Sequence, residues 1–153
     1  MIRKTAASIA AALCSLLAWT PAATAQVGQY PPGTFFIGGY PFTCGNAVVS
    51  VVHNLGDMGK AAPGQFLALD ATLANYPVEV IGFVFAHECA HFLGQMDEDA
   101  ADGIALQMGK QQGWISPFGL QQICQSILMS PGDWTHFPGP MRCQRMIQYY
   151  NSF

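Results

Sequence analysis

Charge is scarce in this chain. Of 153 residues only 10% are Asp, Glu, Lys or Arg, six basic against nine acidic, giving a formal net charge of -3. The few Lys and Arg form no basic patch, which argues against nucleic acid as a partner. Cysteine pairs of the Cys-x-x-Cys kind are missing as well, which argues against a structural four-thiolate zinc site. No internal repeat is present, and the length allows one domain at most. The apolar run from Ala6 to Trp19 is too short and too rich in alanine to span a bilayer comfortably. With 51% hydrophobic residues, the composition suits a packed domain and argues against disorder.

The first 25 residues have the layout of a secretory signal peptide. A charged start (Arg3, Lys4) precedes the apolar run, and Ala23-Thr24-Ala25 supplies a small-residue cleavage site. Cleavage after Ala25 would remove two basic residues and none of the nine acids, moving the net charge from -3 to -5. The expectation is a protein exported to a periplasm or secreted, a single domain over residues 26–153, and no stable membrane insertion after cleavage. Cys14 falls inside the signal, so four cysteines remain: Cys44, Cys89, Cys124 and Cys143. An even set in an exported chain implies disulfides, with three possible connectivities. Cys124 with Cys143, leaving Cys44 with Cys89, is one of them, and the sequence does not choose.

Strand signals come early and helix signals late, an α+β order. Residues 26–46 are rich in Gly, Pro and aromatics and read as loop with one short strand. Asn46 to Val52 is a β-branched run, a buried strand. His53 to Gly64 reads as turn, and Gln65 to Asp70 as a further strand. From Pro77, placed for a first helical turn near Asn75 as a cap, "VEVIGFVFAHECAHFLG" is apolar almost all round. Such a helix is a buried one. A second helix is predicted from Glu98 to Gln112, a third from a Ser116 cap with Pro117 at its first position, and a fourth over Met141 to Tyr150. Trp114, Trp134, Tyr149, Tyr150 and Met129 are assigned to the core, and His53 to the surface.

Two histidines and a glutamate on a buried helix are costly unless they have partners. His87-Glu88-x-x-His91 puts both imidazoles on one face, one turn apart, where a single ion can be held by both. Glu88 lies on the neighbouring edge, in reach of a water activated by that ion. Cys89 points away from this face and is a packing or disulfide residue. Catalytic zinc takes three protein ligands, so a third is needed. One candidate is Asp97, in the pattern His87-Glu88-x-x-His91-x-x-Gly94-x-x-Asp97, where a metzincin has a third histidine and where Ser126 to Met129 would be the Met-turn. The other is Glu98, followed one turn later by Asp102. On an unbroken helix Glu98 would stand about 10 Å along the axis from His91, beyond the reach of ligand bonds of about 2 Å. The chain must bend, and Gly94 is where it can. Asp102 could then accept a hydrogen bond from a ligand histidine and fix its tautomer.

"THFPGPMRCQRM" resembles the Thr-His-Pro-x-x-x-x-Arg segment of gluzincin metallopeptidases of the HtpX and CAAX prenyl protease type. Here it reads Thr135-His136-Phe137-Pro138 with Arg142 four residues on, Phe137 being an insertion. Upstream, "APGQFLALDATLANYPVEVIGFVFAHECAH" is similar to that family's edge strand leading into its zinc helix, and the likeness extends over most of Ala62 to Arg145. The resemblance implies a gluzincin-like zinc core of two helices, the His-Glu-x-x-His helix and the Glu helix, packed against a small β-sheet. It makes His87, His91 and Glu98 the ligands of one Zn2+ per chain, with Glu88 as general base and Asp102 behind the ligands. Asp97 becomes the alternative ligand. His136 would approach the active site and stabilise the oxyanion, and the strand around Gln65 to Leu69 would be an edge that pairs with an extended peptide. The gap from His91 to Glu98 is short for the family, and the transmembrane helices of its membrane members are missing. The function expected is therefore that of a small exported zinc metalloendopeptidase acting on a peptide or protein substrate through a zinc-activated water. The alternative is an exported, non-catalytic zinc-containing binding or assembly factor, which would have no need of Glu88.

Overall fold

A computed structural model describes residues 26–153, so the signal peptide expected over residues 1–25 lies outside the described residues. The N-terminal half forms short strands and the C-terminal half four helices, an α+β arrangement. The strands are β1 (Gly28–Tyr30), β2 (Phe35–Ile37), β3 (Tyr40–Phe42), β4 (Val49–Val52), β5 (Gly59–Ala62) and β6 (Phe66–Asp70). β2 and β3 make a separate hairpin. The other four form a mixed sheet in the order β1-β4-β6-β5, with β4 and β6 parallel and both outer pairs antiparallel.

This topology corrects two expectations. The segment 53–64, read as turn because of its glycines and proline, contains β5. The strand read as an edge, β6, is interior, paired with β4 on one side and β5 on the other, and its Leu67 and Leu69 are buried. A peptide cannot add to Gln65–Leu69, because both hydrogen-bonding sides are taken. The sheet's two edges are β1 and β5, and β5 is the one packed on α1. Asp70 N–H donates to Met58 C=O at 2.9 Å, and in this register Lys60 and Ala62 follow as the next hydrogen-bonded positions. The alternation of an antiparallel pair therefore turns the N–H and C=O of Gly59 and Ala61 away from β6.

The helices are α1 (Val78–Phe92), α2 (Glu98–Gln112), α3 (Pro117–Ile127) and α4 (Gly139–Ser152). Pro77 is the residue before α1, and Asn75 belongs to the 3-10 turn Ala71–Asn75 ahead of it. Ser116 caps α3 by accepting from Gly119 N–H, with Pro117 at its first position. α1 runs through the middle, packed on β5 and β6 on one side and on α2 and α3 on the other. Its burial follows from its sequence: Val80, Phe83, Phe85, Ala86 and Cys89 are buried, with His87 and Glu88 the polar residues buried among them. Phe85 meets Phe35 and Phe42 of the hairpin with ring centroids 5.6 and 5.2 Å apart. A fully buried side chain of this size contributes about 1.5–3 kcal/mol relative to exposure, so these rings help to hold the hairpin.

Two disulfides close the structure. Cys44–Cys89 ties the loop after β3 to α1, and Cys124–Cys143 ties α3 to α4. Among the described residues no helix is long and apolar enough to cross a membrane. Trp114 is buried as expected, but Trp134 and Met129 are not core residues: they are 103% and 90% exposed. Both lie on the loop between α3 and α4, which projects beside the cleft and offers them nothing to pack against.

Candidate metal centre

α1 ends at Phe92, and Gly94, at φ 102°, turns the chain in a conformation that side chains with a Cβ rarely adopt. Gln95 N–H closes the turn onto Ala90 C=O. Glu98 then opens α2 facing back towards α1. The bend brings Glu98 Oε2 to 3.0 Å from His87 Nε2 and 3.1 Å from His91 Nε2. The two Nε2 atoms are themselves 2.9 Å apart. Asp97 is not brought into the cluster. Its carboxylate caps α2, accepting from Ala100 N–H at 2.8 Å.

The third imidazole arrives from the loop before α4. His136 Nε2 lies 2.9 Å from the same Glu98 oxygen. His87, Glu98 and His136 form a group whose donor atoms all lie within 4.8 Å of one another, a set that could hold a metal ion.

Each histidine is held from behind. His87 Nδ1 donates to Asp102 Oδ1 at 2.9 Å and His91 Nδ1 to the carbonyl of Gln95 at 2.6 Å. A carbonyl and a carboxylate only accept, so the Nδ1 atoms carry the hydrogens and, in the neutral rings, both Nε2 atoms are bare. Two bare nitrogens 2.9 Å apart repel unless a proton or a cation stands between them. A proton on His87 Nε2 would relieve this, and the surroundings favour one. Burial pushes His87 down, but its hydrogen bonds to Asp102 and Glu98 raise it to about 9. Burial acts to raise Glu98, yet the hydrogen bond from His87 and the charges of the three histidines hold it at about 2. A dication fits the same place. Tetrahedral bonds of about 2 Å put donors roughly 3.3 Å apart, and the observed separations of 2.9–3.1 Å are close to that.

Behind His87 stands a residue pair that the sequence reading did not join. Both oxygens of Asp102 are gripped by Arg142, 2.6 Å from Nε and 2.6 Å from Nη2. Burial acts to raise Asp102, and Arg142 and His87 reverse that to a net lowering. One turn further along the antiparallel helices, Asp99 pairs with Arg145 and accepts from Tyr149 at 2.6 Å. These two pairs clamp α4 to α2, which fixes where the His136 loop ends. Asp133 was also missed. It accepts from the backbone N–H groups of Thr135 and His136, both at 2.8 Å, and lies 3.1 Å from His136 Nδ1. Those backbone bonds and the Thr135 hydroxyl hold its pKa far below the usual carboxylate range. An acid three residues before a histidine in a Pro-Gly loop was the available signal.

The cluster opens on a cleft of about 450 Å³ between the free edge of β5 and the loop 128–138. Glu88 lines it beside the histidines, only 8% exposed. Burial raises its pKa, against the lowering by His87 and His91. What the arrangement offers is three imidazole nitrogens, each within 3.1 Å of one Glu98 oxygen, with a second, more weakly acidic carboxyl lining the same cleft. The chain matches no family model, and no curated protein or solved structure matches it either.

Proposed function

We propose that the protein is an exported zinc metallopeptidase with a gluzincin-like centre, in which His87, His91 and Glu98 hold zinc and Glu88 is the general base. The observation that carries this reading is the pair of Nε2 atoms 2.9 Å apart, both backed at Nδ1 by acceptors and both within 3.1 Å of Glu98 Oε2. That geometry calls for a cation, and imidazole with carboxylate is a zinc set. Bound zinc supplies a Lewis acid that lowers the pKa of water and polarises a carbonyl. Glu88 accepts the proton of the attacking water, a task suited to a carboxyl whose pKa is raised by burial. It then returns that proton to the leaving amine, so two peptides result. Asp102 keeps His87 in the tautomer that presents Nε2, and Arg142 keeps Asp102 ionised. The substrate is an extended peptide lying along β5, where the free N–H and C=O of Gly59 and Ala61 can pair with it. The signal sequence and the two disulfides support export.

A second reading, a non-catalytic zinc-containing binding or assembly factor, is favoured by one observation. His136 stands as close to Glu98 as the other two histidines do, and four protein donors make a closed site. Two measurements separate the readings. Elemental analysis of the purified protein should find one zinc per chain, largely lost in Glu98→Ala. Glu88→Gln should keep fold and zinc but lose cleavage of a quenched fluorescent casein. A zinc-loaded parent that never cleaves, and behaves as Glu88→Gln does, would move the conclusion to the binding factor.

A further inference from the structure

The β5 edge has two faces that differ in chemistry. Gly59 faces Val84 and Glu88 of α1, and Ala61 shares that face because strand side chains alternate. Lys60 and Ala62 therefore point to the opposite face of the sheet. Phe66 is paired with Ala62 in the register of β5 and β6, so it stands on that face too, beside a residue too small to cover it. Phe66 is 47% exposed, whereas Leu67 and Leu69 on the α1 side are buried.

Met96 comes to the same cleft from the end of α1. Gly64 N–H donates to Phe92 C=O at 2.9 Å, which sets the turn between β5 and β6 against that end. Met96 follows four residues later, in the short turn that leads to α2. The turn is held on both sides of it: Gln95 N–H donates to Ala90 C=O and Asp97 N–H to the Gln95 side chain, both at 2.9 Å. Met96 itself is 70% exposed. A turn fixed in this way holds out an apolar side chain that has no share in closing it. Pro63, Phe66 and Met96 line the cleft together with Gly59, Ala61 and Glu88.

We infer that Phe66 and Met96 are specificity residues that take a large apolar side chain of a peptide laid along β5. This rests on the peptidase reading above. Gly59 abuts Glu88, and Ala62, the partner of Phe66, is three residues further along the strand. The apolar side chain therefore sits about 10 Å, or three peptide residues, to one side of the bond that is cut. Methionine is flexible and adapts to side chains of different shape. The preference is accordingly for Leu, Met or Phe as a class. Backbone pairing along β5 accepts any sequence, so this contact decides where along a chain cleavage falls.

The test maps by mass spectrometry every bond that the zinc-loaded protein cleaves in denatured casein. Large apolar residues should be enriched at one position, three residues from the cleaved bonds. Met96→Ser and Phe66→Ser change exposed side chains, and each should reduce that enrichment. A quenched peptide with Leu at that position should exceed its Gly counterpart about tenfold in kcat/KM, the ratio falling towards one in either variant. A second measurement needs no turnover. Two short labelled peptides of Ala and Gly, one with a single Leu, are titrated with zinc-loaded Glu88→Gln and followed by anisotropy. The Leu peptide should bind about tenfold more tightly, and Met96→Ser added to that protein should remove the difference. Cleavage with no preferred position, or variants that keep the parent's preference, would overturn the specificity site and leave the peptidase standing. A parent that cuts nothing, while Glu88→Gln still prefers the Leu peptide, would sink the peptidase reading and keep the apolar site. Neither cleavage nor discrimination would overturn both.

Discussion

Gly59 and Glu88 leave no room between them: a Cβ at Gly59 would stand 2.6 Å from Glu88 Cγ and 2.9 Å from Oε1, with Val84 Cγ1 also at 2.9 Å. The glycine is what lets the edge strand lie against the proposed base. Gly59→Ala should push Glu88 out of line while leaving the metal donors, which are not among the atoms nearest a Cβ there, in place. Displacement of a reacting group by about 1 Å can cost a hundredfold in rate. The expected outcome is kcat lower by about that factor, with KM and zinc content unchanged. Steady-state kinetics on a peptide, run beside elemental analysis, would check it. A variant with the parent's kcat would mean that Glu88 is not confined by β5.

Asp102 is almost fully buried, and its charge is matched by Arg142 through two bonds of 2.6 Å. Removing Arg142 leaves the buried Asp102 with His87 as its remaining charged partner, at a cost of up to about 3–5 kcal/mol. Arg142→Met should therefore destabilise the protein by that order and weaken zinc binding, since His87 loses the ionised partner that orients it. Urea unfolding of the zinc-free forms isolates the first effect. A loss under about 1 kcal/mol would mean the pair is solvated and the clamp between α2 and α4 lies elsewhere.

How much of this could be read from residues alone differs by element. The helix bearing His87 and His91, its end at Gly94 and the start of α2 at Glu98 follow from periodicity and from the reach of a ligand bond, because both act over a few residues. β5 could not be read that way. Gly59, Pro63 and Gly64 look like turn chemistry, and Gly59 is a glycine because Glu88 is packed on it, 29 residues away. The same reason made β6 look like an edge: strand order is a property of pairing, which leaves no local trace. Asp102 was legible as a partner of a histidine one helix away. Its second partner, Arg142, lies 40 residues on and needed the packing of α4 on α2 to be seen. Trp134 and Met129 were assigned inside on hydrophobicity alone, and the projecting loop overrode it.

Asp97 and Glu98 are neighbours with opposite duties. Asp97 accepts from Ala100 N–H at the start of α2, and Glu98 faces the histidines. Asp97→Ala removes a helix cap and should cost about 1 kcal/mol with zinc content unchanged. Glu98→Ala should lose most of the zinc and, measured without metal, change stability in a different way, because His87 loses its ionic partner. Thermal melts and metal analysis on both variants separate them. Zinc lost from Asp97→Ala and kept by Glu98→Ala would reverse the assignment and return the metzincin pattern.

The metal-free site should show itself in the pH dependence of stability. His87 has a folded pKa of about 9 against 6.5, burial lowering it and the hydrogen bonds to Asp102 and Glu98 outweighing that. A group raised on folding contributes stability in full below its unfolded value and loses it as pH rises through its folded value. Glu98, lowered from 4.5 to about 2 with burial opposing the histidines, contributes above 4.5 and loses that contribution as pH falls towards 2. The two contributions share the His87–Glu98 contact, so the EDTA-treated protein should be most stable between about pH 4.5 and 6.5 and melt progressively lower up to pH 9. On the proposed reading zinc would take the place of that proton, and its binding would release it. The zinc-loaded protein should therefore hold its melting temperature over the same rise, and zinc affinity should increase with pH. Calorimetry of both forms from pH 6.5 to 9 decides the matter: parallel curves for the two would mean that no proton on His87 is exchanged for the metal.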